Sequence, residues 1–152
     1  MHPSKWLCLF ALTGTLSPAL AQTPPPPRIA YGSVHTNPSG EQQLELNEGS
    51  YHASRRQSLC WVAENIGSTA AQTVVEHIQT PPQTDIPETE NTRVVSNPDR
   101  SSHTITTRKT PNATGQYHTC WHFGANDPFG DYRLQVHIGD ITFPPYPFRW
   151  QP

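Results

Sequence analysis

Apolar residues recur at every second position through much of this chain, and the clearest run is 117–138. Tyr117, Thr119, Trp121 and Phe123 share one face there, and Tyr132, Leu134, Val136 and Ile138 share another. His118, Cys120, His122, Arg133, Gln135 and His137 fall on the opposite sides. Period two with one apolar face is the pattern of a half-buried antiparallel strand. Between the two runs, Asp127-Pro128-Phe129-Gly130 has the composition of a type I turn, so the spacing predicts a hairpin. Ile138-Gly139-Asp140-Ile141 predicts a second reversal into a short strand ending at Phe143.

The same reading extends upstream. Residues 28–36 form a candidate first strand with Ile29, Tyr31 and Ser33 on one side, followed by an Asn37-Pro38-Ser39-Gly40 turn and a short edge strand over 41–46. The polar stretch 48–56 reads as a loop. Residues 57–66 are apolar on both faces, which predicts a central strand, and 72–79 alternates Val74, Glu76 and Ile78 against Val75 and His77. Ala70, Ala71 and Val74 also have helical spacing, but the β-branched content favours strand. Residues 80–92 predict a long exposed loop, and 93–96 with 102–109 predict a polar hairpin about Asn97-Pro98-Asp99-Arg100. Seven or eight strands at even spacing point to an all-β antiparallel sandwich.

Composition changes this picture at the N-terminus. Lys5, an apolar run and then Ala19-Leu20-Ala21 have the order of a signal peptide over 1–21, followed by a Pro-rich linker over 22–27 and a sandwich domain over 28–152. The apolar run is shorter than the roughly 20 residues a spanning helix needs. Without the leader the chain keeps nine Lys/Arg against twelve Asp/Glu, and no basic stripe alternates with aromatics, so nucleic acid is not an expected partner. The 17 prolines gather at strand boundaries and linkers rather than marking disorder.

Two cysteines remain after leader removal, and export to an oxidising compartment predicts a Cys60–Cys120 disulfide, the alternative being two free thiols. Each cysteine precedes a tryptophan, Trp61 and Trp121, within an alternating run. A disulfide with an adjacent indole is a feature of immunoglobulin-like sandwiches, although the tyrosine expected two residues before the second cysteine is here three before it, at Tyr117. Whether the cysteines join adjacent or facing strands stays open. The segment CWHFGANDPFGDYRLQVHIGDITF resembles the closing hairpin of small exported bacterial immunoglobulin-like domains of unknown function. In these a Trp-x-Phe strand, an Asp-Pro-x-Gly turn and a Tyr-x-Leu-x-Val strand recur. The resemblance implies a sandwich and a periplasmic or secreted address, and it brings no catalytic residues.

Candidate chemistry is sparse. His118, Cys120 and His122 suggest copper or zinc, but the two histidines lie roughly 13 Å apart on a straight strand, so a site would need His137 or His77 from elsewhere. Turn chemistry explains Asn126, Asp127 and Asp131 better than a calcium loop does. Asp85, Glu88 and Glu90 sit in a polar loop where nothing raises a carboxyl pKa. Asn112-Ala113-Thr114 is a formal glycosylation sequon. No nucleophile or metalloprotease motif occurs, and no cofactor is expected. Tyr146, Phe148 and Trp150 lie among prolines, as either a binding segment or a last strand covering an edge. The expectation is a non-catalytic binding or accessory protein of the bacterial envelope whose partner is another envelope or extracellular protein, the alternative being a periplasmic metal-binding protein using surface histidines.

Overall fold

The computed structural model describes residues 23–36, 39–40, 42–46 and 49–152. The expected leader and the Asn37-Pro38 half of the first turn lie outside them. Eleven strands among the described residues form two sheets. The first sheet contains β1 (Arg28–Thr36), β2 (Gln42–Glu45), β4 (Ser58–Glu64) and β8 (Tyr117–His122), in the order β2-β1-β4-β8. The second runs β3-β11-β9-β5-β7-β6, from β3 (Ser50–His52), β11 (Tyr146–Gln151), β9 (Gly130–Ile138), β5 (Gln72–Gln79), β7 (Ser102–Lys109) and β6 (Thr92–Ser96). The two-residue strand β10 (Ile141–Thr142) pairs back onto β9 through the expected reversal, where Gly139 takes a φ of 56°.

Each sheet turns its apolar phase inward. Leu59, Trp61 and Ala63 of β4 and Tyr117 of β8 meet Val74 and Ile78 of β5, Ile105 of β7, and Leu134 and Val136 of β9, all buried in one cluster. This is the layer-on-layer burial that period-two strands require, since a single sheet would leave that face in water. Against the same cluster Tyr31 of β1 stacks on Tyr146 of β11, with ring centroids 4.1 Å apart.

The expected hairpin between the two C-terminal runs is not formed. Both strands exist with the expected faces, but β8 pairs with β4 in one sheet while β9 pairs with β5 and β11 in the other. Phe123 and Tyr132 then face one another across the core instead of along one sheet, their rings 5.8 Å apart. The turn also shifts: the backbone bond closes Gly124 to Asp127, with Asp127 N–H donating to the Gly124 carbonyl over 3.2 Å, and Gly130 already belongs to β9. The Tyr132 hydroxyl donates to the Pro128 carbonyl at 2.7 Å, pinning the arch. A tyrosine bonded to a carbonyl a few residues upstream is similar to a tyrosine corner, but it stands at the entry to β9 and not before Cys120.

Two further expectations change. The polar stretch before β4 contains β3, whose Tyr51 is fully buried, and β3 pairs in parallel with β11. The C-terminal Tyr146, Phe148 and Trp150 belong to β11, an internal strand, with Phe148 and Trp150 buried in the core. Tyr146 is half-buried against Tyr31, and Trp150 also lines a cleft with Phe123 and Phe129.

Candidate binding surface at the free edge of the four-stranded sheet

The Cys60–Cys120 disulfide is present, and it joins neighbours within one sheet. The two residues stand directly opposite in the β4–β8 register with a Cα separation of 4.0 Å. In antibody domains the bridge crosses between sheets; here it lies on the outer side of the first sheet, because Cys60 and Cys120 are out of phase with the inward Trp61 and Trp121. The β1–β2 hairpin folds towards that outer face, and Val34 and Leu44 line the same concavity, about 800 Å³, as the two cysteines. The fold needs glycine at position 32 for this, since a Cβ there would collide with the Glu45 carbonyl.

A buried carboxyl lies behind the bridge. Glu76, in phase with Val74 and Ile78 on β5, is 1% exposed, and its Oε1 accepts the indole N–H of Trp61 at 2.7 Å and of Trp121 at 2.8 Å. The two tryptophans that follow the cysteines therefore converge on one oxygen from the facing sheet. Burial pushes the Glu76 carboxyl above the usual carboxylate range, while the indole donors and the more distant Lys109 pull the other way. Burial also raises the Tyr31 hydroxyl, with Glu76 and Tyr146 adding to it. The period-two reading missed this node, although an acidic residue in phase with two buried aliphatics was its signal.

Among the described residues strand β8 has β4 on one side and no strand on the other. The close Cα approach at Cys60 and Cys120 marks a non-hydrogen-bonded pair, so Tyr117, Thr119 and Trp121 make the ladder to β4. The N–H and C=O groups of His118, Cys120 and His122 consequently point out of the free edge. Directly beside that edge is an apolar slot of about 350 Å³, bounded by Trp121 of β8, Phe123 just beyond it, Ile78 of β5, Tyr132 of β9, and Ile86 and Pro87 of the loop over 80–91. Asp85 and Asp127 stand at its rim, with His122. The Asp85 carboxylate has the Arg100 guanidinium 3.6 Å away and is otherwise well exposed, and Asp127 accepts from Gly124 N–H. Around Phe123 a second cleft of about 560 Å³ continues past Arg56, Phe129 and Trp150.

The other sequence candidates do not converge. His118 and His122 lie on the outer face of β8, the latter's Nδ1 2.7 Å from the Ser58 hydroxyl. His137 is on the second sheet, edge-to-face with His77 at 5.1 Å, and its Nδ1 meets the Thr142 hydroxyl. Burial lowers its pKa, and His77 adds to the effect. Two imidazoles are two short of a closed zinc set, and among the described residues no group of three or more His, Cys, Asp or Glu is placed to hold a metal ion. Glu88 accepts from Val94 N–H, which ties the acidic loop to β6, while Asp85 alone of the three loop carboxylates reaches the slot. The sequon Asn112 accepts from Thr114 and Gln116 backbone N–H groups in a tight turn.

Comparison with known proteins agrees with this architecture. An immunoglobulin-like protein from Pseudomonas aeruginosa, of known crystal structure, aligns over 85% of this chain and 99% of its own with a TM-score of 0.52 and 17% identity. An alkylpurine DNA glycosylase from Pseudomonas fluorescens, AlkC, solved on DNA containing an abasic-site analogue, aligns over 82% of this chain and 30% of its own at a TM-score of 0.33 and 13% identity, too distant to inform the reading. No curated protein matches the chain in sequence. The model of the PM0630 beta sandwich domain matches residues 29–151, nearly all of the two-sheet body. The chain belongs to the PM0630 beta sandwich domain family.

Proposed function

We propose that this chain is a non-catalytic binding module of the bacterial cell envelope and that it binds through the free edge of β8. The carrying observation is the coincidence of an unpaired strand edge with an apolar slot at its side. Exposed edges are ordinarily blunted by charge, proline or a covering loop, because they template pairing with other chains. Here the loop over 80–91 stands beside the edge but leaves the slot between them, while a disulfide braces the strand and Glu76 fixes Trp121 next to it. The bridge suits an oxidising compartment, which supports the export suggested by the leader, and among the described residues no helix is long and apolar enough to cross a membrane. The buried Glu76 carboxyl is sealed between two indoles, an arrangement that serves structure rather than proton transfer to a substrate.

Replacing His118 by proline tests this, because its N–H points away from β4 and the substitution removes no ladder bond. Immobilised protein should retain a partner from envelope extract, the His118→Pro variant should lose at least ~90% of it, and His77→Ala on the opposite face should keep it. Equal retention by the proline variant would move the site elsewhere.

A further inference from the structure

The two sheets are unequal in width. The first is four strands wide and ends at β8, while the second continues past β5 to β7 and β6. Opposite those outer strands the first sheet has no fifth member among the described residues, and the loop over 80–91 lies there, with Ile86 packed against the core. The slot lies between this loop and β8. A strand laid along β8 would find the N–H and C=O groups of His118, Cys120 and His122 waiting at the ordinary ladder spacing, and its inward side chains would point to Trp121, Phe123 and Tyr132. Two carboxylates, Asp85 and Asp127, stand at the rim with His122; Arg100 lies 3.6 Å from the well-exposed Asp85, and no Lys or Arg lines the slot itself.

We infer that the slot takes an extended segment of another protein, which adds to β8 as a fifth strand, seats one large apolar side chain between the sheets and sets a Lys or Arg against Asp85 and Asp127. This rests on the edge being the binding site and specifies the partner's chemistry. A second copy of the chain fits less well. Two β8 edges meeting about a two-fold axis would bring identical acidic rims together, and the inward Tyr117 and Trp121 of each copy are already engaged in its own core, so neither slot would be filled.

A randomised seven-residue peptide library panned against the disulfide-bonded protein gives the test, with His118→Pro as the counter-selection and His122→Pro as a second edge variant should the first fail to fold. Enriched peptides should alternate, with an aromatic or branched aliphatic residue at one position and Lys or Arg two residues away on the same face. A synthetic consensus peptide should shift tryptophan emission and bind at least ~10-fold more weakly to either proline variant. It should bind ~5-fold more weakly to the Asp85→Asn/Asp127→Asn double variant and weaken as salt is raised. Enrichment of acidic or non-alternating peptides that still need the edge would overturn the partner chemistry and leave the edge reading standing. Peptides that bind wild type and both proline variants alike would overturn both. Sedimentation showing a dimer that the proline variants dissociate would make a second copy the occupant and overturn the inference.

Discussion

Removing the Cys60–Cys120 bridge should cost about 4 kcal/mol, the chain-entropy value for a loop of some sixty residues. For a domain of this size that is a large part of the net stability. A Cys60→Ala/Cys120→Ala variant should melt roughly 10–20 °C lower, and reductant should shift the wild type by the same amount and leave the variant unmoved. The placement within one sheet adds a local effect that an inter-sheet bridge would not have. Strand β8 has one strand neighbour among the described residues, so without the bridge it is held by three residues' worth of ladder bonds and by its inward Tyr117 and Trp121. Opening should therefore begin at β8 and be visible as faster amide exchange there before the second sheet responds. Uniform loosening of both sheets at once would show that the bridge braces the sandwich as a whole.

Substitution of Glu76 should give the second large effect, with opposite outcomes for two residues of similar size. Glu76→Leu leaves both indole N–H groups without their acceptor in the core, at about 1–3 kcal/mol each, offset in part by removing a buried carboxyl. Glu76→Gln keeps an oxygen that can accept both indoles and removes the ionisation. Because burial raises the Glu76 pKa in the folded state, the folded protein holds this proton more tightly than the unfolded chain does. The stabilisation linked to it is complete below the ordinary glutamate value, about 4.3, and is lost as pH rises through the higher folded value. Glu76→Gln should therefore match or exceed wild type in melting temperature at neutral pH and fall to or below it near pH 4, while Glu76→Leu should melt lower at neutral pH. Parallel melting-temperature profiles for wild type and Glu76→Gln from pH 4 to 8 would show that the carboxyl is not desolvated.

The sequence made some parts of this structure readable and concealed others, for physical reasons that differ by element. Strands β1 and β5 fall on the residues the alternation indicated, since an unbroken apolar phase leaves one register that buries it. Strands β8 and β9 were equally legible, but their relation was not. A hairpin and an arch between layers demand the same inward faces, and only the turn at Gly124–Asp127 and the Tyr132 corner distinguish them. Strand β3 was hidden because its stability comes from a partner about a hundred residues away, β11, and from a single buried tyrosine. The cysteine pairing followed from export and number, whereas its placement on the outer face needed the sheet order. Of the candidate site, His122 and the carboxylates Asp85 and Asp127 were noticed for metal, acid or turn chemistry. Their common position at one slot arises from tertiary structure that local pattern does not encode.

The free edge of β8 carries the functional account, and amide hydrogen exchange resolved by residue measures it most directly. In the isolated protein the amides of His118, Cys120 and His122 should exchange near solvent rates, while those of Tyr117, Thr119 and Trp121 are protected by their bonds to β4. Protection of all six, or protection of the first three alone, would show that the edge is closed or reversed and would contradict the account.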